Sequence, residues 1–199
     1  MNAKTSRIIL VISAFLGGLV VFLGVILFVS GNAPSIGGTS VSAIGGPFNL
    51  VDQNGKTITD QDMKGKPFLV FFGYTHCPDV CPTTLFDVSE VMRALGKDAD
   101  RTSMLFVSVD PDRDTPPVLK DYLSSFDPHL RGVTGTPDGI AKIEREYRVY
   151  SKKVPEKNGE YSMDHSAVVY LMDKDGHFVA PFNLKRRPQA SADDLRKYM

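Results

Sequence analysis

The chain has no tryptophan and only two cysteines, and the second scarcity is the informative one. Two cysteines cannot staple a disulfide-rich scaffold, in which several bridges stand in for a hydrophobic core. Charge of either sign is not in excess either, since 23 basic residues face 23 acidic ones. No global field draws in nucleic acid or a strongly charged substrate, so no nucleic-acid partner is expected and binding must be local. No internal repeat is apparent, which excludes a solenoid or propeller. A chain of 199 residues with ordinary apolar content has room for one domain and an appendage.

Charge is also missing from one long stretch. Residues 8–29 carry no ionisable side chain and are mostly Ile, Leu, Val and Phe. At 1.5 Å rise per residue a helix of that length spans roughly 33 Å, enough for a bilayer core. Lys4 and Arg7 precede it and no charge follows until Asp52, so the positive-inside rule expects residues 1–7 in the cytoplasm and the rest outside. The apolar run exceeds a usual signal sequence, and the A-x-A-like triplet Val41-Ser42-Ala43 lies well beyond it. An uncleaved single-pass anchor at 8–29 is therefore expected. The Gly-, Ser- and Ala-rich residues 30–46 read as a flexible linker to a folded domain at 47–199. With no transit-like segment ahead of the apolar run, a bacterial inner membrane with a periplasmic domain is expected.

Within that domain, residues 48–51 and 57–59 read as a hairpin around Asn54-Gly55, a pair suited to a type I′ turn. Residues 67–73 and 104–109 are continuous apolar runs, as expected of central strands covered on both faces. The first is followed by a helix starting near Pro82, the second by one reaching Phe126 with Val118, Tyr122 and Phe126 on a single face. A short strand at 130–134 and a helix at 137–147, capped by Thr136, come next. Residues 152–164 have turn residues but no apolar period and read as a mobile hairpin or loop. Strands at 167–172 and 177–182 and a last helix capped by Ser191 complete the chain. This order predicts an α/β fold with a mixed central sheet flanked by helices.

The two cysteines stand in Phe72-Gly73-Tyr74-Thr75-His76-Cys77-Pro78-Asp79-Val80-Cys81-Pro82, directly after the first buried strand. Ligands of such sheets sit beyond the carboxyl ends of strands, where this loop lies. With the helix starting at Pro82, Cys81 is expected at its N-cap, where the dipole favours a thiolate by about 0.3–1 kcal/mol. A lowered thiol pKa follows, useful for exchange and metal ligation alike. A structural disulfide is the third possibility, but a loop of three residues makes a poor staple. A metal site needs a further ligand. Among four histidines, His165 stands out in Tyr161-Ser162-Met163-Asp164-His165-Ser166, just before a buried strand, although spacing alone does not select it. Two thiolates and an imidazole would suit copper better than structural zinc, which normally takes four protein ligands. Asp110, Asp112 and Asp114 look like the start of a calcium loop, but Thr115 stands where glycine is required. Turn formation, capping and a polar docking surface are expected there instead.

These motifs, with Val107-Ser108-Val109-Asp110-Pro111-Asp112-Arg113-Asp114-Thr115-Pro116 and Thr134-Gly135-Thr136-Pro137, resemble the Sco/SenC family of membrane-anchored copper proteins. The resemblance implies a thioredoxin-like fold. It also implies copper, as Cu(I) or Cu(II), held by Cys77, Cys81 and His165 and passed to the CuA centre of cytochrome c oxidase subunit II. The implied protein is a metallochaperone and not an enzyme, and other periplasmic copper chaperones are conceivable partners. The runner-up is a thiol-disulfide oxidoreductase that uses Cys77 and Cys81 to keep the CuA-site cysteines reduced. Unlike thioredoxins, this chain has three residues between its cysteines and no proline before the Ala167 strand, which favours metal handling.

Overall fold

The computed structural model describes residues 15–26, 28, 44–157 and 159–199. The chain divides into two compact units, Met1–Ser42 and Ala43–Met199. In the first, residues 15–26 and 28 are helical and exposed. The remainder of the expected 8–29 span, and the expected linker up to residue 43, lie outside the described residues. Among the described residues no helix is long and apolar enough to cross a membrane.

The second unit is a seven-stranded mixed sheet in the order β2-β1-β5-β4-β3-β8-β9, with a separate two-stranded sheet. Its hairpin, β1 (Asn49–Asp52) and β2 (Thr57–Thr59), forms where Asn54-Gly55 marks a turn. The turn is not type I′, which needs positive φ at both central residues: the Gly55 amide donates to the Asp52 carbonyl, so Gln53 and Asn54 are central and neither has positive φ, while Gly55 follows with φ 78°. The Asp52 carboxylate organises it instead, accepting the Asn54 and Lys56 amides at 2.8 and 3.0 Å.

Strands β3 (Phe68–Gly73), β4 (Ser103–Ser108) and β5 (Leu130–Thr134) are parallel neighbours, and every residue of β3 and β4 is buried. Their apolar runs lack alternation because both faces are covered. On one face Phe71 packs near Phe106, which meets Tyr122 of α2 (Pro116–Leu123). On the other, Phe72 meets Tyr147 of α3 (Pro137–Tyr147) and Tyr170 of β8 (Val169–Met172). Thr136 caps α3 as expected, its hydroxyl accepting the Gly139 amide at 3.1 Å. β8 runs antiparallel to β3 and pairs with β9 (Phe178–Pro181).

Two helix expectations are corrected. In α2 the buried side chains are Leu119 and Leu123, with Val118 exposed. Gly132 of β5 presents no side chain, and both leucines lie against the space that a Cβ there would take. Ser191 does not cap the last helix, α4 (Pro188–Arg196): Arg187 takes that position and Ser191 is buried within the helix, donating to the Asn183 carbonyl at 2.9 Å. Pro188 fits a first helical position, where its missing N–H is not needed, and so moves the start ahead of the serine.

Residues 151–165, expected as a mobile hairpin or loop from 152, form the hairpin: β6 (Ser151–Pro155) pairs antiparallel with β7 (Tyr161–His165). The apolar period is missing because neither strand has a buried residue.

Candidate metal centre

β3 delivers the chain to the edge of the core at Gly73, and the turn that follows closes with the Cys77 amide donating to the Tyr74 carbonyl at 3.3 Å. Helix α1 (Val80–Leu95) then begins two residues earlier than expected, with Asp79 at the N-cap. Cys81 is therefore inside the first turn and not the cap. Its amide, one of the orphan donors of a helix start, points to Cys77 Sγ at 3.4 Å. Leu85, Val88, Met92 and Leu95 are buried along the same helix and seat it on the sheet.

The two thiols differ in access. Cys81 is fully buried whereas Cys77 retains 9% exposure. Against the sequence expectation, burial pushes the Cys81 thiol up, a backbone hydrogen bond from Tyr74 opposes this, and the adjacent Cys77 adds to it. The helix dipole contributes at most about 1 kcal/mol, whereas taking a thiolate out of water shifts its pKa by several units, so desolvation wins. Both cysteines are free thiols.

His165, the last residue of β7, brings Nε2 to 3.6 Å from Cys81 Sγ. Its Nδ1 lies 3.2 Å from the Ser166 carbonyl. A carbonyl only accepts, so this contact assigns the ring proton to Nδ1 and leaves the Nε2 lone pair toward the sulfur. The ring is held edge-on by Tyr74 and Phe71, with centroids at 5.8 and 6.3 Å. The ligand atoms of Cys77, Cys81 and His165 all lie within 4.8 Å of one another, close enough to hold one metal ion.

Two residues that shape this centre were given no role in it by the sequence. A Cβ at Gly73 would stand 2.7 Å from Cys81 Sγ and 2.8 Å from Phe106, so only glycine lets the buried thiol reach this depth. Asp114, fully buried, braces the cysteine loop from below. It accepts the Thr75 hydroxyl at 2.6 Å, the Thr75 amide at 3.1 Å and the Ser108 hydroxyl at 2.6 Å. Burial raises its pKa and these bonds oppose the rise. The Asp110-Asp112-Asp114 spacing was visible in sequence, but which carboxylate turns inward was not.

The other histidines stay apart from the thiols. His76 contacts the Thr75 hydroxyl, and His129 lies between Asp127 and Asp100. His177 joins Asp173 and Asp175 in a second group of candidate ligand atoms at the β8–β9 turn. There the Asp173 carboxylate accepts the amides of Asp175 and His177, which is ordinary turn chemistry.

Comparison with known proteins agrees with this architecture. The SCO1/SenC family model matches residues 37–199. Protein SCO2, mitochondrial, of Saccharomyces cerevisiae is 40% identical over 158 residues, covering 78% of this chain and 52% of that protein. The chain thus spans about half the length of that relative. An SCO2-like protein of Rickettsia felis is 33% identical over 202 residues, covering 98% of both. Among solved structures, Bradyrhizobium japonicum ScoI with copper bound is 66% identical with a TM-score of 0.77, covering 79% of this chain and all of that one. The mixed α/β, thioredoxin-like fold is therefore the Sco fold. With its cysteine pair and a distant histidine gathered at the end of β3, the chain belongs to the SCO1/SenC family.

Proposed function

We propose that Cys77, Cys81 and His165 bind copper and that the protein is a metallochaperone supplying the CuA centre of cytochrome c oxidase subunit II. The observation that carries this is the approach of His165 Nε2 to within 3.6 Å of the buried thiol of Cys81, with Nδ1 turned to the Ser166 carbonyl. Two soft sulfurs and one imidazole suit Cu(I) or Cu(II), and a relative of similar fold is known with copper bound. Copper entering such a site displaces the thiol protons, so uptake releases acid and requires the dithiol form. A Cys77–Cys81 disulfide removes both sulfur ligands at once, which makes the pair's redox state a gate on loading. Cys77, at the surface side, is the ligand a partner reaches first. In this reading residues 8–29 anchor the protein in a bacterial inner membrane, N-terminus in the cytoplasm, with residues 30–46 linking it to a periplasmic domain at 47–199.

The test replaces His165 with Ala in the reduced full-length chain. Copper retention and the Cu(II)–thiolate absorption band should fall while the Cys77–Cys81 disulfide still forms. Unchanged copper binding would remove His165 from the site.

A second reading draws on the exposure of Cys77 above the buried Cys81. The Cys77 thiolate attacks a disulfide of the oxidase subunit and forms a mixed disulfide, releasing one partner thiol. The Cys81 thiolate then displaces the second partner sulfur, leaving the partner reduced by two electrons and this pair oxidised. In cells this reading predicts that a His165 variant still supports oxidase assembly. Failure as complete as that of a Cys77/Cys81 double variant excludes it.

A further inference from the structure

The loop between β4 and α2, residues 110–115, contributes no ligand, yet it touches both ligand-bearing segments. From one end Asp114 holds Thr75, two residues before Cys77. From the other, Arg113 reaches the hairpin that ends in His165. Its Nε donates to Asp110 Oδ2 and its Nη1 to the Tyr161 carbonyl at 3.0 Å. The guanidinium carbon lies 3.7 Å from the Tyr161 ring centroid and 5.8 Å from that of Tyr74, the ring that meets His165 edge-on. The Tyr161 hydroxyl donates back to Asp110 Oδ1 at 2.9 Å, which closes a three-residue cycle. Lys153 of β6 adds an outer contact, 4.0 Å from the Tyr161 ring and 2.9 Å from Asp112.

The hairpin needs such a hold. It is a two-stranded sheet separate from the main one, and an isolated hairpin is marginal in water. Its base is tied by the Ser166 amide to the Tyr150 carbonyl at 3.0 Å and the Tyr150 amide to the Ser166 hydroxyl at 3.1 Å. That tie is next to His165, whereas Tyr161 lies at the opposite end of β7, so Arg113 fixes the end of the strand that the base tie does not reach. Arg113 is largely buried, 18% of its side chain exposed, and Asp110 is fully buried. A planar guanidinium that donates through Nε to a carboxylate and through Nη1 to a carbonyl, and stacks on a ring, holds orientation as well as distance.

We infer that Arg113 is a positioning residue for the metal centre: by bridging Asp110 and Tyr161 it couples the loop bracing the cysteines to the hairpin carrying His165, and so sets the sulfur-to-imidazole spacing. The inference rests in part on the copper reading, because spacing matters only if the three groups share an ion. Arg113→Lys does not substitute, since an ammonium has neither the fork nor the plane. Tyr161→Phe keeps the ring under the guanidinium but loses the bond to Asp110, and should lie between wild type and Arg113→Ala.

The experiment uses the reduced full-length chain. Cu(I) affinity is measured against a competing chelator, and amide hydrogen exchange is followed in the metal-free protein. In Arg113→Ala, affinity should fall by about tenfold or more, the usual scale for losing an outer support of a metal ligand. Amides of Ser162 and Asp164, which pair with Val154 and Lys152 of β6, should exchange faster while those of Leu69 and Phe71 do not. Added to His165→Ala, the same substitution should cost no further affinity. Unchanged affinity, a further loss in the His165→Ala background, or equally faster exchange in the β3 core would each overturn the inference. If wild-type protein takes up no copper, the copper reading fails, and unchanged exchange at Ser162 and Asp164 would then overturn the clamp by itself.

Discussion

Cys81 Sγ and His165 Nε2 lie 3.6 Å apart although 84 positions separate them in the chain. One comes from the first turn of a helix and the other from the end of a hairpin strand. Their meeting depends on packing that neither segment supplies alone, and several consequences can be measured.

Gly73→Ala places a methyl group within 2.7 Å of Cys81 Sγ and 2.8 Å of Phe106. Neither neighbour can yield easily, since both are fully buried. Overpacking of this kind costs about 1–3 kcal/mol. Denaturant unfolding should show that loss, and copper titration should show weaker binding as Cys81 shifts. A variant with wild-type stability and affinity would mean the helix start adapts freely.

Asp114→Ala strands the Thr75 amide and the Ser108 hydroxyl, each losing its carboxylate partner. An unsatisfied buried donor costs about 1–3 kcal/mol, so unfolding free energy should drop by roughly 2–4 kcal/mol. Asp114→Asn should cost distinctly less, because an amide oxygen still accepts and burial already disfavours the charge. Equal losses in the two variants would point to the charge instead of the bonds.

His129 supplies a pH signature. Burial of the ring disfavours its charge, but hydrogen bonds donated to the Asp127 and Asp100 carboxylates outweigh that and raise its pKa. Both ring nitrogens face carboxylates, at 2.6 and 3.1 Å, an arrangement that only the doubly protonated ring satisfies. A pKa raised on folding adds stability that is fully present below the unfolded value of about 6.5 and is lost as pH rises through the folded value. The difference in unfolding free energy between wild type and His129→Gln should therefore be greatest in mild acid and shrink toward alkaline pH. Because Asp100 is exposed, the effect should stay near or below about 1 kcal/mol. A pH-independent difference would contradict this.

Thr136→Ala provides a control away from the centre. Loss of the cap bond to the Gly139 amide should cost about 1 kcal/mol in thermal or denaturant unfolding. Copper affinity should not change. A copper defect in this variant would show that α3 reaches the centre.

Local periodicity and turn chemistry carried most of the element order. The runs at β3 and β4 and the Thr136 cap were legible because their signals are contained within a few residues. The misplacements at Cys81, Ser191 and Val118 share one cause. Each required choosing among neighbouring positions with similar propensity, and long-range contacts made the choice. A helix start can move by two residues at almost no local cost, but that shift alters whether a thiol is capped or buried.

What the sequence determined by itself is the chemistry on offer: two thiols with a helix behind them, a histidine at the mouth of a strand, and balanced charge. Residue identity limits which bonds a side chain can make, and no fold can alter that. The tertiary structure decided which histidine meets the thiols, that Cys81 is buried and its proton held more tightly, and that Asp114 bonds to the cysteine loop while Arg113 bonds to the hairpin that carries His165. Those are properties of distance and exclusion from water, and they arise only when segments far apart in the chain pack together.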